Sequence, residues 1–303
     1  MNLRGKAGVI DSQATVAQRI KRLPAIVHKL DRLRRLKLFQ LQDIGGCRAV
    51  VSDIRHVNAL RDTYRAQKFK HTLLTQDDYV AAPKKSGYRS IHLVYEYHSD
   101  RSCDHNGRKI EMQLRSRLQH AWATTVETVQ MFSQQHLKSS RGDQRWLRFF
   151  ALMGSEFAHR EHATLVPDTP IDRAVLLAEL SNLAKELEVD KKLQAWTSAL
   201  RYAQPDKGAH FLLSLNAEAE QLTIKSYGKS DLAQANADYL KLEKDNVGKP
   251  GMDAVLVSVE SVKSLKTAYP NYFADTSLFL QALRIAITSS TKPQPPRSPK
   301  HDP

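Results

Sequence analysis

Residues 109–116, Lys-Ile-Glu-Met-Gln-Leu-Arg-Ser, alternate strictly: Ile110, Met112 and Leu114 fall on one side, and Glu111, Gln113 and Arg115 on the other. Period-two alternation specifies a half-buried strand, with one face packed and the other presented. The presented face lines up an acid, an amide and a guanidinium. A carboxylate there can hold a divalent cation or take a proton, and the neighbouring Arg can hold a phosphate. Taken alone, the same pattern describes an edge strand with a mixed-charge outer face, so its neighbours in sequence decide the reading.

Around this strand the pattern predicts an α+β chain. A turn at 99–108 joins it to a strand at Ile91–Tyr97, a hairpin, and residues 117–137 follow as a helix carrying Leu118, Trp122, Val126, Val129 and Phe132. Upstream, residues 1–11 carry no pattern and read as a frayed end. Ser12 to Leu36 reads as helical, interrupted at Leu23-Pro24 because proline disfavours the helical state in the residue before it. Asp43-Ile44-Gly45-Gly46 is a breaker before a short buried strand, Cys47–Val51. A helix over 54–67, a strand over 69–75 and a Lys/Tyr loop within 77–90 complete this half. Downstream come helices over 143–160 and 171–202, then a boundary at Pro205–Gly208. Strands at 210–216 and 221–227, a helix at 231–244, a strand at 253–260 and a helix at 261–287 form a small α+β module. The Ser/Pro/Lys-rich residues 289–303 read as disordered.

Composition narrows the chemistry. The 303 residues suit about two domains. No apolar run approaches the ~18 residues of a membrane span and no signal sequence is evident, which makes a cytoplasmic protein the default. Cys47 and Cys103 stand in no metal-binding spacing, which argues against zinc. A net charge of +14 calls for a polyanionic ligand or partner: nucleotide phosphates, RNA, or both. No P-loop is present. What remains is two carboxylates far apart in sequence, Asp43 and Glu111, able to share Mg²⁺, with lysines and arginines for phosphates and a tyrosine for a base. That inventory points to magnesium-dependent nucleotide phosphoryl transfer.

Four ordered motifs carry a family resemblance. Asp78-Tyr79-Val80 followed by Pro83-Lys84-Lys85-Ser86-Gly87-Tyr88-Arg89-Ser90-Ile91-His92 resembles D-Y-I-x-x-P-K-x-x-G-Y-x-S-x-H. Ile110–Ser116 resembles V-E-I-Q-I-R-T, Asp43–Arg48 resembles D-I-x-G-x-R, and Arg19, Lys21 and Lys29 resemble an upstream R-x-K…K element. Together they are similar to the synthetase domain of RelA/SpoT proteins, which make the alarmones ppGpp and pppGpp. The resemblance spans roughly residues 15–135. It implies a nucleotidyltransferase-like mixed β-sheet flanked by helices, in a short synthetase-only member whose N-terminus is clipped relative to its relatives. The implied layout is a synthetase domain at 12–165, a helical connector at 171–204, the small module at 208–288 and the tail.

The implied reaction moves pyrophosphate from ATP to the ribose 3′-hydroxyl of GDP or GTP. By position, Asp43 and Glu111 would hold Mg²⁺ and Glu111 would draw the hydroxyl proton. Arg19 and Arg48 would flank the adenine, and Lys21 and Lys29 would hold the ATP phosphates. Tyr88 would stack the acceptor base, with Lys84, His92, Gln113, Arg115 and His120 on the acceptor side. Two departures stand out. Ala25 occupies a position where the family often has Ser. In His120-Ala121-Trp122-Ala123-Thr124-Thr125-Val126-Glu127, the Glu falls one place late and the following His is absent. Short relatives include toxins that pyrophosphorylate the tRNA 3′ end, so a tRNA acceptor stays open, as do a non-catalytic nucleotide- or RNA-binding module and an oligomeric state.

Overall fold

A computed structural model describes every residue except 1, 22, 33–36, 67–69, 134–141, 200, 203–207, 217, 250–251, 260–264, 267–268, 274 and 291–303. Its centre is a nine-stranded mixed sheet in the order β3-β4-β5-β2-β1-β9-β7-β8-β6. The strands are β1 (Thr15–Ile20), β2 (Gly45–Val51), β3 (Thr72–Asp78), β4 (Ile91–Glu96), β5 (Lys109–Ser116), β6 (Arg201–Tyr202), β7 (His210–Asn216), β8 (Gln221–Tyr227) and β9 (Met252–Ser258). β4 and β5 form the expected antiparallel hairpin, with His92 opposite Gln113 and Val94 opposite Glu111. β2 runs parallel to β5 and sets Gly46 beside Glu111.

The alternation in β5 decides what lies on each side of the sheet. Ile110, Met112 and Leu114 point to the back, where Met112 and Leu114 are fully buried with Leu3, Val57, Leu60, Tyr64, Leu93 and Tyr95. The covering helices there are α1 (Leu3–Ile10) and α3 (Ile54–Ala66), whose Val57, Leu60 and Tyr64 recur at helical spacing on one face. A second core gathers α4 (Arg117–Ser133), α5 (Gln144–Glu161), α6 (Arg173–Glu186), α7 (Val189–Ala199) and α9 (Ser277–Ser290) around Trp122, Phe149, Phe150, Phe157 and Phe279.

Several expected elements differ. The chain start is a helix: the Asn2 side chain accepts from the Gly5 N–H at 2.9 Å, capping α1, and Leu3 and Ala7 bury one turn apart. Residues 15–20 form a strand and not a helix, with Val16 in the back core and Ala17 facing the opposite way. Only Leu23–Arg32 (α2) is helical in that region, and Pro24 sits in its first turn, where no donor is lost. β3 begins and ends about three residues later than expected, so Asp77 and Asp78 belong to it. The helical stretch ends at Ala199 and gives way to β6.

In the C-terminal segment β7 and β8 match their expected bounds, followed by α8 (Leu232–Asp245) and β9. Within the expected final helix, Leu265 and Lys266 are helical, a 3-10 turn follows at Pro270–Phe273 and then α9, while residues 261–264, 267–268 and 274 lie outside the described residues. The tail at 291–303 lies outside the described residues. The sheet crosses the expected boundary without a break, since β9 pairs with β7 on one side and with β1 on the other through Gln18–Ser258 and Arg19–Val257. α9 likewise closes the core built by α4, α5 and α6. Among the described residues no helix is long and apolar enough to cross a membrane.

Candidate functional site

The sheet face opposite Ile110 and Met112 carries a cavity of about 160 Å³ lined by Lys21, Asp43, Gly46, Arg48, His92, Glu111, Gln113 and Tyr269. Its construction follows from the strand pairing. Parallel pairing of β2 on β5 brings the turn before β2, with Asp43, to the same end as Glu111. Gly46 adds no side chain to the cavity floor, although a Cβ there would rest in ordinary contact, 3.4 Å from the Glu111 carbonyl. Lys21 follows β1 directly, tied by its backbone N–H to the Ile44 carbonyl at 2.7 Å.

Asp43 is held by two cations: Lys21 Nζ lies 2.7 Å from one oxygen and Lys29 Nζ 3.1 Å from the other. Burial pushes its carboxyl up, but these two lysines outweigh it and leave Asp43 below the usual carboxylate range. Glu111 accepts from Gln113 Nε2 at 2.8 Å and pairs with His92 Nδ1 at 2.8 Å. Burial raises its carboxyl, yet His92, Gln113 and Lys21 bring it down to about 2. His92 is raised above its ordinary value, burial opposing and the Tyr88 oxygen and Glu111 prevailing. Cys47, beneath Gly46, is pushed up to about 12 by burial and then by the Glu111 charge, so its thiol is neutral and unreactive.

The loop 83–90 delivers Tyr88 beside this cavity. Gly87 has φ +95°, a conformation that favours glycine, and a Cβ there would come within 2.5 Å of the Phe150 carbonyl. Gly154 on α5 meets it from below: a Cβ at 154 would stand 2.7 Å from the Gly87 carbonyl. Trp122 Nε1 donates to the Phe150 carbonyl at 2.8 Å, and Arg89 pairs with Glu161 at 2.8 Å with both side chains almost fully buried. Glu161 is further satisfied by Ser116 Oγ and by Gln119 Nε2. Gly154→Ala is therefore expected to cost about 1–3 kcal/mol, the usual penalty for overpacking, read as a lower midpoint in chemical denaturation.

Tyr88 packs edge-on against Tyr79, His92 and Trp122 at centroid distances of 5.9, 5.7 and 6.1 Å. Its hydroxyl lies 2.7 Å from His92 Nε2 and accepts from Arg115 Nη2 at 3.0 Å. Burial opposes ionisation, but Arg115 and His92 bring the phenol down to about 7. Lys84 sits on the exposed side of the loop, 4.1 Å above the Tyr79 ring.

Asp43, Lys21, Arg48, His92, Glu111 and Gln113 thus share one cavity; Lys29 joins them through Asp43, and Tyr88 and Arg115 through hydrogen bonds. His120 does not line it, being buried within α4. Arg19 lies in β1 opposite Gly46; its side chain is outside the described atoms. Sequence reasoning missed Tyr269, whose ring lies 5.7 Å from the Arg48 guanidinium and closes the cavity from the C-terminal segment. A lone tyrosine some 160 residues away carries no local signal; only the β1–β9 pairing brings it near.

The donor set, two carboxylates with no thiolate, suits a hard cation that completes its shell with substrate phosphates. Among the described residues no group of three or more His, Cys, Asp or Glu could hold a metal unaided. Asp43 and Glu111 are the two carboxylates of this cavity that could hold such a cation.

Residues 18–136 match the family described as "Region found in RelA / SpoT proteins". The chain is 31% identical over 117 residues to the GTP pyrophosphokinase YjbM of Bacillus subtilis, spanning 39% of this chain and 51% of that protein. It is 33% identical over 113 residues to a GTP pyrophosphokinase of Haemophilus influenzae, covering 36% of this chain and 13% of that one. Among solved structures, small alarmone synthetase 1 from Bacillus subtilis bound to its product pppGpp aligns with a TM-score of 0.42 and 25% identity, over 48% of this chain and 73% of that one. The chain thus spans about half, or far less, of the curated relatives it matches.

Proposed function

We propose, from the match of residues 18–136 to the region found in RelA/SpoT proteins and the likeness to GTP pyrophosphokinases, that the protein transfers the β,γ-pyrophosphate of ATP to the ribose 3′-hydroxyl of GDP or GTP, releasing AMP. The observation that carries this reading is the joint placement of Asp43 and Glu111 on one cavity with Lys21 and Lys29 already on Asp43. Lys21 and Lys29 would exchange that carboxylate for donor phosphates. Arg48 would stack on the adenine. The ionised Glu111 would face the attacking hydroxyl and orient it, and Tyr88 would offer a ring face to the acceptor base. Asp43 and Glu111 would hold Mg²⁺, which supplies neutralising charge on the phosphate oxygens when bound. Alignment and charge compensation do most of what such a transfer requires.

Incubating the protein with labelled ATP and GDP, GTP or bulk tRNA, and identifying the labelled product, tests the reading. Labelled tRNA in place of a labelled guanosine nucleotide would establish the second reading, which the net charge of +14 favours. No labelled product with any acceptor would leave a binding module.

The cavity of about 160 Å³ is smaller than the roughly 300–1,000 Å³ of pockets that hold ligands of nucleotide size. Tyr269 covers the face of Arg48 that the donor base would use. Tyr269→Ala is therefore expected to lower the apparent KM for ATP about 2- to 30-fold, the span of the ~0.5–2 kcal/mol cation–π contact it removes. A raised KM would instead make Tyr269 a wall of the donor site.

A further inference from the structure

We infer that Arg115 is a positioning residue that fixes the Glu111 carboxylate through two converging hydrogen-bonded paths; its kinetic consequence rests on the transfer reading above. Arg115 is 5% exposed and does not line the cavity, whereas Gln113 and His92 do. Its guanidinium can only donate. Nη2 donates to Gln113 Oε1 at 2.9 Å and to Tyr88 Oη at 3.0 Å. With Oε1 accepting, the Gln113 amide nitrogen is the atom left to face Glu111, and it donates to Oε2 at 2.8 Å. With its oxygen accepting from Arg115, Tyr88 shares a single proton with His92 Nε2 along their 2.7 Å bond. The other imidazole nitrogen, Nδ1, then carries a proton and donates to Glu111 Oε1 at 2.8 Å.

The two paths run in one direction, from a group that only donates to a group that only accepts. Flipping the Gln113 amide would set two N–H donors against Arg115 and two acceptors against Glu111. Moving the imidazole proton off Nδ1 would leave a lone pair against the carboxylate. Each oxygen of Glu111 is thereby held by a separate donor, which stops the carboxylate turning about its axis. Among the described residues, Lys21, Asp43 and Arg48 are the other charged groups that line this cavity, with Lys29 on Asp43, and Arg115 lies beside it on the same strand face as Glu111. Arg115 thus leaves the set of acceptor contacts and becomes, through Gln113 and Tyr88, the support of the carboxylate.

The test reads the hydrogen bonds directly. In nucleotide-free protein labelled with ¹⁵N-histidine, the His92 signal is identified by its loss in His92→Asn. Wild type is expected to show a downfield imidazole N–H resonance at Nδ1, protected from solvent exchange. Arg115→Met should lose that protection, and Arg115→Lys, which keeps a donor-only cation, should retain part of it. In transfer assays Arg115→Met should lower kcat by about 10- to 100-fold, the usual range for residues supporting a site from behind, with acceptor KM changed less than about twofold. Adding Tyr88→Phe to Arg115→Met should cost little more, because that path is already broken. A protected His92 resonance in Arg115→Met, or a loss confined to acceptor KM, overturns the inference. If Arg115→Met does not fold, the spectra of Arg115→Lys and Tyr88→Phe decide it. Because the spectra need no substrate, absence of transfer with every acceptor would defeat the proposed reaction and leave this inference to be judged on the resonance.

Discussion

Glu111→Gln and Asp43→Asn are each expected to lower transfer by on the order of a thousandfold, the several kcal/mol that charge neutralisation of a polyphosphate supplies. Glu111 is held ionised, its carboxyl near 2, so the wild-type charge is present at any working pH. The amide keeps the side-chain shape and its bond to His92 or Gln113 while removing that charge. Asp43→Asn removes the counter-charge of Lys21 and Lys29 as well, and those two lysines then repel each other within the cavity. Mg²⁺ titration of activity separates the causes: a variant that recovers at high Mg²⁺ has lost cation affinity alone. Wild-type activity of Glu111→Gln at saturating Mg²⁺ would remove Glu111 from the site.

The largest expected loss of stability falls away from the cavity. Glu161→Gln leaves the Arg89 guanidinium buried at 2% side-chain exposure with no opposing charge. Removing one partner of such a pair costs about 3–5 kcal/mol, because the remaining ion is uncompensated. Burial already lowers the affinity of Arg89 for its proton, the opposing pull coming from Glu161 alone. Since Arg89 follows Tyr88 directly, partial loosening should reach the site and appear as reduced activity before unfolding. Replacing both, Arg89→Met with Glu161→Leu, should recover much of the stability, since neither charge is then stranded. Equal denaturation midpoints for Glu161→Gln and wild type would contradict this account.

What could be read from the sequence was what is local. The β4–β5 hairpin, β7 and β8 follow from period-two alternation bounded by turns, and they stand where the pattern put them. β1 was not legible: Val16 and Ile20 are four apart and satisfy a helix as well as a strand. What settles it is non-local, the pairing of residues 15–20 with β2 on one side and β9 on the other. α1 hid for the opposite reason, since one turn of contact through Leu3 and Ala7 leaves too little periodicity to detect. For the site, the motif residues marked which side chains matter without saying what each one touches. That Gln113 and Arg115 face one another and not outward depends on where Tyr88 lands, and Tyr88 is placed by Gly87, Gly154 and the Arg89–Glu161 pair. Gly154 sits in an ordinary helical stretch, where nothing nearby in sequence marks a close approach.

The unbroken sheet bears on how this protein can be taken apart. Cutting after α7 would leave the segment that carries all four motifs, yet it would also strip β9 from β1. A row of unpaired N–H and C=O groups would then face water along β1, a ready template for another chain. Loss of α9 would at the same time uncover the aromatic cluster that Phe279 shares with Phe149, Phe150 and Phe157. The excised segment should therefore self-associate, and its insolubility would report a missing neighbour strand and not a failure of the motif-bearing half to hold its own shape.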